Sequence, residues 1–177
     1  WLGNVLHGDL GESSKFGESV WTQMTRKLPM TLKLAGVSLV AVILISFPLG
    51  VLSAVKKNKT ADYIIRFLSF FGVSMPNFWL ALLLMYIFAV RLGWFKVVST
   101  DSIGGMILPV ATLTIPMISS YARQIRAALL EELNANYVIG ARARGIPERR
   151  IIWGHVLPNA ILPIITLLGL SVGHLLG

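Results

Sequence analysis

Cysteine is absent from all 177 residues. That excludes a disulfide framework, a thiolate nucleophile and a cysteine-based metal site. Charge is scarce as well: 14% of residues are charged, where soluble domains carry about 25%. Acid is the scarcer sign, with 8 Asp and Glu against 16 Lys and Arg, for a net charge of +8. A basic balance can mark a nucleic-acid binder. Here the cations instead sit in a few loops between apolar runs, the pattern that orients a membrane protein, so nucleic acid is not an expected partner. No Gly-x-x-x-x-Gly-Lys-Ser/Thr occurs, so the chain has no phosphate-cradling loop of its own. His7, His155 and His174 lie far apart and lack paired carboxylates, so no metal-ligand cluster is expected. The acidic residues fall nearly all in loops, with none read inside a span. Proton-coupled transport needs an intramembrane acid or base. The sequence therefore offers neither a catalytic constellation nor an internal energy source.

What the chain has in quantity is apolar length. Hydrophobic residues make up 55% and the mean hydropathy is +0.72, which indicates an all-α, polytopic transmembrane helical bundle. Residues 1–28 are polar and glycine-containing and read as an extracytoplasmic region, with Ser19 to Lys27 able to form a short interfacial helix. Residues 29–177 read as the membrane domain. A first span is expected at about 29–55, started by Pro29 and kinked at Pro48 and Gly50. A second is expected at about 67–92, interrupted in its first third by Gly72 to Asn77. Proline removes a backbone donor there, and lipid tolerates the break only where protein or a wet cavity satisfies it. The break is accordingly expected to face the protein interior. A third span is expected at about 106–122, continuing as a polar helix through Arg123, Arg126, Glu131 and Glu132. A fourth begins near 159 and is cut off at 177. The start at Trp1 and the end inside an apolar run read as an internal fragment of a longer protein.

Orientation follows from the cations. Lys56, Lys57, Lys59 and Arg66 follow the first span, and six arginines between Arg123 and Arg150 follow the third. The loop between the second and third spans holds only Arg91 and Lys96. The positive-inside rule puts the first two groups in the cytosol and the third outside. Ser74, Pro76 and Asn77 at the break, with Thr112, Thr114, Ser119 and Ser120, are the candidate wet pathway; plain interhelical hydrogen bonding is the competing reading. Gly169, Gly173 and Gly177, spaced by four, present a small face for helix packing.

The most distinctive segment is residues 134–158. Tyr137, Ala141 and Gly145 share a helix face at spacing four. Gly145 is placed to stop that helix in a left-handed conformation. Pro147 is placed to start a second helix, which Leu157-Pro158 would end. Arg142, Arg144, Arg149 and Arg150 decorate this helix–turn–helix at the membrane surface. Read alone, it could be a solvated positive-inside loop.

The segment resembles the "EAA" loop of the integral membrane permeases of binding-protein-dependent ABC importers. That pattern runs Glu-Ala-Ala, three residues, Gly, nine residues, Ile, one residue, Leu-Pro. Ala141, Gly145, Leu157 and Pro158 match it, while Ile139, Gly140 and His155 depart. The departures fit the dipeptide/oligopeptide/nickel branch, whose version resembles Tyr-x-x-x-Ala-Arg-Ala-Lys-Gly. Tyr137, Ala141, Arg142, Ala143 and Gly145 match that version, Arg144 replaces its lysine, and Asn159, Ala160 and Pro163 follow. Gly8 to Ser13, Arg26 to Thr31, Ser74 to Trp79 and Leu92 to Phe95 also look like this branch. The resemblance implies that residues 134–158 dock on a cytosolic ABC ATPase. Ala141, Gly145 and Pro147 would supply shape, and Arg142 and Arg144 charged contacts. It further implies a second permease, an extracytoplasmic solute-binding protein, membrane lipid around the spans, and a bacterial or archaeal cell membrane. ATP and Mg would be used by the ATPase, with no cofactor on this chain. The cargo would be peptides or nickel and similar metal chelates. A self-contained channel or secondary carrier, or a membrane scaffold, are the alternatives.

Overall fold

The computed structural model describes residues 2–15, 17–96 and 103–176. Every regular element among them is helical, apart from one isolated bridge between Glu12 and Ser19. A short helix α1 (Leu2–Leu6) leads into α2 (Val20–Val55). After a lysine-rich turn come α3 (Thr60–Ser74) and α4 (Asn77–Leu84), the latter extended by a π-helical stretch (Met85–Arg91). The long α5 (Ile103–Leu133) follows, then the short α6 (Asn136–Ala143) and α7 (Glu148–Ile151). A second π stretch (Ile152–Val156) joins α7 to α8 (Leu157–Leu176). Gly177 lies outside the described residues.

Pro29 does not start the first span. The helix begins nine residues earlier at Val20 and runs through both Pro29 and Pro48. Its 36 residues extend about 54 Å at 1.5 Å per residue. That exceeds the roughly 30 Å hydrocarbon core. The interfacial helix expected at 19–27 is therefore the overhanging first part of α2.

The second span also differs. It begins at Thr60, and the two limbs are bent by 103° at the break. Met75 (φ −85°, ψ 128°) and Pro76 (φ −61°, ψ 139°) are both extended. Proline disfavours the α conformation in the residue before it, and two extended residues in succession turn the chain sharply. Asp62 meets Arg126 while Gly72 meets Ser119, so α3 runs antiparallel to α5 and leaves the lysine-rich end. The break itself does not face inward: Ser74, Pro76 and Asn77 are exposed on this chain. Helix α5 packs against both limbs, α3 and α4, and meets Gly72 of the α3 limb through Ser119.

The broadest packing is between α2 and α5. Buried positions on α2 include Ser38, Val42, Ser46, Gly50 and Ala54, spaced by four and hence on one face. Lipid gives no hydrophobic drive for helix association, so helices gain chiefly by close approach of small residues. The hydroxyls of Ser38 and Ser46 find no hydrogen-bond partner among the described residues; these positions are used for smallness rather than polarity. At Gly50 a Cβ would stand 2.6 Å from Ile125 Cγ2 and 2.7 Å from Ile125 Cβ. Gly50, read with Pro48 as the place of a kink, is a close crossing point within the continuous helix α2.

The main apolar cluster lies at the basic end. It joins Val51 and Ala54 of α2, Ile125 and Leu129 of α5, Val138 and Ala141 of α6, Ile151 of α7, Val156, and Ala160 and Ile164 of α8. The turn at 56–59 and the segment 134–158 thus lie at the same end of the bundle, the side that the cation distribution assigns to the cytosol.

Gly50→Ala is expected to destabilise the protein by roughly 1–3 kcal/mol, because overpacking against a β-branched Cβ outweighs the roughly 1 kcal/mol helix-propensity gain. Gly169→Ala, with nothing within 4 Å, is expected to be neutral or stabilising. Thermal melts of both variants of the full-length protein in detergent check this; equal behaviour would refute the crossing-point assignment.

Candidate functional site

The segment 134–158 is a packed part of the bundle. Helix α6 ends at Ala143, and Gly145 adopts φ +75°, a conformation glycine enters without steric cost. The Gly145 N–H donates to the Arg142 carbonyl (2.9 Å) and the Ile146 N–H to the Ala141 carbonyl (3.2 Å). This pair of bonds is the Schellman helix stop, and Ile146 packs on the apolar cluster as that motif favours. Pro147 then caps α7, its carbonyl accepting from Arg150 N–H (2.8 Å) and Ile151 N–H (3.1 Å).

Leu157-Pro158 does not end the second helix. The chain continues from α7 through the π stretch into α8 without a break. Pro158 lacks an N–H and crowds the preceding turn; it falls in the first turn of α8, directly after a local π widening of the kind found at helix irregularities. Leu157 packs partly on the core, while Pro158 is exposed.

The structure divides the predicted site residues by environment. Ala141 is buried beneath α6 beside Val138, so its side chain is an anchor beyond the reach of a partner. Gly145 and Pro147 form the exposed tip. The Tyr137 hydroxyl donates to Glu132 at the end of α5 (2.6 Å). Burial first, and then that carboxylate, push the phenol above its ordinary value. Arg142 is occupied by the chain itself: its Nε donates to Glu148 Oε1 at 2.5 Å and its Nη2 to Oε2 at 3.3 Å. This fork spans the glycine turn and ties α6 to α7. It holds the Glu148 carboxyl below its usual range and the guanidinium above its own. Arg144, Arg149 and Arg150 are exposed and form no ion pair among the described residues.

Three of the pathway candidates satisfy their hydroxyls within their own helices. Ser74 Oγ donates to Phe70 O (2.8 Å), Thr112 Oγ1 to Leu108 O (2.9 Å) and Ser119 Oγ to Ile115 O (2.8 Å). Each returns its proton to the carbonyl one turn back, the usual way a helix satisfies a hydroxyl.

Sequence reading missed Asp62. It does not lie in a loop: it sits in the first turn of α3 and is fully buried. Its Oδ1 accepts from Ser53 Oγ (2.5 Å) and Arg126 Nε (2.7 Å). Its Oδ2 accepts from Asn58 N–H (2.9 Å) and Arg126 Nη2 (2.8 Å). One carboxylate thereby joins the end of α2, the turn, α3 and α5, directly above the cluster that carries α6. The one signal in the sequence was an Asp and an Arg flanking apolar runs, with nothing to pair them across 64 positions.

Residues 46–177 match the family model described as the binding-protein-dependent transport system inner membrane component. The chain belongs to that family. It is 39% identical over its whole length to the oligopeptide transport system permease protein AppB of Bacillus subtilis, covering 60% of that protein. It is 35% identical to the probable D,D-dipeptide transport system permease protein DdpB of Escherichia coli, over 99% of this chain and 60% of the relative. It is 36% identical to the glutathione transport system permease protein GsiC of Salmonella typhi, over 100% of this chain and 58% of the relative. The chain thus spans about 60% of the length of the curated relatives it matches. The family assignment agrees with the all-α membrane architecture and with an inner-membrane location.

Asp62→Asn leaves Arg126 partly buried without its counter-charge and is expected to cost on the order of 3 kcal/mol in a detergent melt. Adding Arg126→Gln should recover part of that loss, and absence of recovery would argue against a coupled pair. For the exposed Arg142–Glu148 fork, a double-mutant cycle is expected to give about 0.5–1 kcal/mol. Because Glu148 titrates lower when folded, that coupling is present at neutral pH and fades as pH falls below the usual carboxylate range. A coupling energy that persists at acid pH would contradict the assignment.

Proposed function

We propose that the protein is the permease subunit of an ATP-driven peptide importer, with residues 134–158 receiving motion from a cytosolic ATPase. The observation that carries this reading is the anchored tip. Gly145 and Pro147 project from a segment whose inner face, Val138, Ala141, Ile151 and Val156, is fused to the cores of α2, α5 and α8. A partner pushing on such a knob moves the bundle instead of bending a loop. The chain's shortage of intramembrane titratable groups supports an external energy source. In this reading ATP and Mg are used by the ATPase, a second permease completes the pathway, and an extracytoplasmic binding protein delivers the solute. Of peptides and nickel chelates, we propose peptides. The relatives described above carry oligopeptide, D,D-dipeptide and glutathione in their names.

Within the segment the docking face is Gly145, Pro147 and the free cations Arg144, Arg149 and Arg150. Tyr137, Arg142 and Leu157 serve as internal struts. A Cβ at Gly145 would meet nothing within 4 Å, so substitution there acts through the left-handed backbone. A β-branched side chain is costly in that conformation, and Asn is tolerated.

Gly145→Val is therefore expected to lower peptide-dependent uptake and ATPase association at least about tenfold with membrane insertion unchanged, whereas Gly145→Asn retains most of both. Uptake and co-purification of the ATPase with the full-length permease are the measurements. Full uptake by Gly145→Val would overturn the coupling role, and uptake by liposomes without any ATPase would favour a self-contained channel or carrier.

A further inference from the structure

A cavity of about 920 Å³ opens between α3 and α5, next to the Asp62 cluster but outside the segment 134–158. Its wall carries Arg66, Arg123 and Arg126 and no acidic residue. Arg126 is neutralised by Asp62 behind the wall. Arg66 and Arg123 are exposed and form no ion pair among the described residues; Arg66 only lies over the Tyr63 ring at 5.8 Å. Two uncompensated guanidinium groups therefore share one cavity.

Depth decides what they meet. The Asn58 turn, with Lys56, Lys57 and Lys59, caps Asp62 and marks the basic surface of the bundle. Arg66 lies one helical turn beyond Asp62 along α3, about 6 Å deeper at 1.5 Å per residue. Arg123 lies about 4.5 Å beyond Arg126 along α5 in the same direction. Both thus sit just below the surface, at the level where headgroup phosphates meet the first methylenes. Apart from the buried Ser53 and Ser69, the rest of the wall is apolar or aromatic, and Phe67, Leu68 and Phe70 are each more than half exposed. A soluble anion would satisfy the arginines but leave that wall in water. A phospholipid satisfies both.

We infer that the groove between α3 and α5 is a binding site for an anionic phospholipid of the cytosolic leaflet, with Arg66 and Arg123 forking its phosphate and Phe67 and Phe70 flanking its acyl chains. Guanidinium groups suit phosphate because their paired N–H donors match its oxygens. A zwitterionic lipid brings an ammonium group into the same cationic field and is disfavoured. The bound lipid would brace α3 against α5 beside Asp62, supplying from the membrane the anion that the protein lacks there.

The test is native mass spectrometry of the delipidated full-length permease with equal phosphatidylglycerol and phosphatidylethanolamine. The wild type is expected to retain phosphatidylglycerol preferentially. Arg66→Gln/Arg123→Gln should reduce that retention about tenfold without changing phosphatidylethanolamine, and Arg66→Lys/Arg123→Lys should fall between. Arg126 is left intact, and both substituted positions are exposed, so the Asp62 cluster and the melt should be preserved. Unchanged phosphatidylglycerol retention by the glutamine variant would overturn the site. Complete displacement of the lipid by millimolar inorganic phosphate would show a free-anion site and also overturn it.

Discussion

The Asp62 carboxylate is the constraint on which the basic end of this bundle depends. Taking a carboxylate and a guanidinium out of water costs several kcal/mol per ion. The cost is met only if the charges pair well and the remaining lone pairs are satisfied. Here they are: a bidentate arginine, a serine hydroxyl and a backbone N–H converge on the two oxygens. The donors come from α2, the lysine turn and α5, and the acceptor from α3. None of these elements can shift alone without stranding a buried charge. The positive φ of Asn58, 59°, belongs to the same arrangement, since that turn aims its N–H at Asp62. Asparagine tolerates this conformation better than most side chains.

That knot gives mechanical meaning to the neighbouring apolar cluster. Ser53 and Ala54 are adjacent on α2, and Ile125 and Arg126 are adjacent on α5. One residue of each pair joins the polar knot, and the other joins the cluster holding Val138 and Ala141. The exposed tip at Gly145 is therefore two packed layers from the lysine turn and the start of α3. Contiguity of this kind is a requirement for any transmission between a cytosolic partner and the spans. The close crossings at Gly50 and Gly72 extend it along α5, because helices in van der Waals contact through glycine have no side-chain cushion to absorb displacement.

Local rules made part of this legible in the sequence. The apolar runs and the sparse charge fixed the class. The Gly145-Ile146-Pro147 step named its own geometry, because a left-handed stop and a proline cap need no distant partner. Proline misled wherever its neighbours could absorb it. Pro29 sits inside α2 and Pro158 follows a π stretch, whereas Pro76 breaks its helix because Met75 is also driven extended. Whether a proline bends, breaks or merely interrupts is settled by the turn before it and by what packs there. Glycine held a role its residue type does not announce, since Gly50 reads as part of a kink and also serves as a crossing. The Asp62–Arg126 pair was invisible for a different reason: its partners are distant in sequence and each alone looks like an ordinary interfacial charge.

The two arginines of the Arg142-Ala143-Arg144 stretch show how little sequence type says about role. They carry the same charge and lie two residues apart. One position lies on the side of α6 that faces Glu148, and the other lies at the stop itself. Arg142 has its guanidinium committed to a carboxylate in bidentate geometry. Recruiting it to an external partner would require breaking that fork and exposing Glu148, so its interaction with a partner is offset from the start. Arg144 has no ion pair to give up among the described residues. An acidic surface approaching the tip therefore gains more from Arg144, Arg149 and Arg150 than from Arg142, whose pairing stiffens the turn that presents them. Rigidity and attraction thus fall to different arginines, a division that would let a short, exposed turn serve as a firm point of attachment in the proposed coupling.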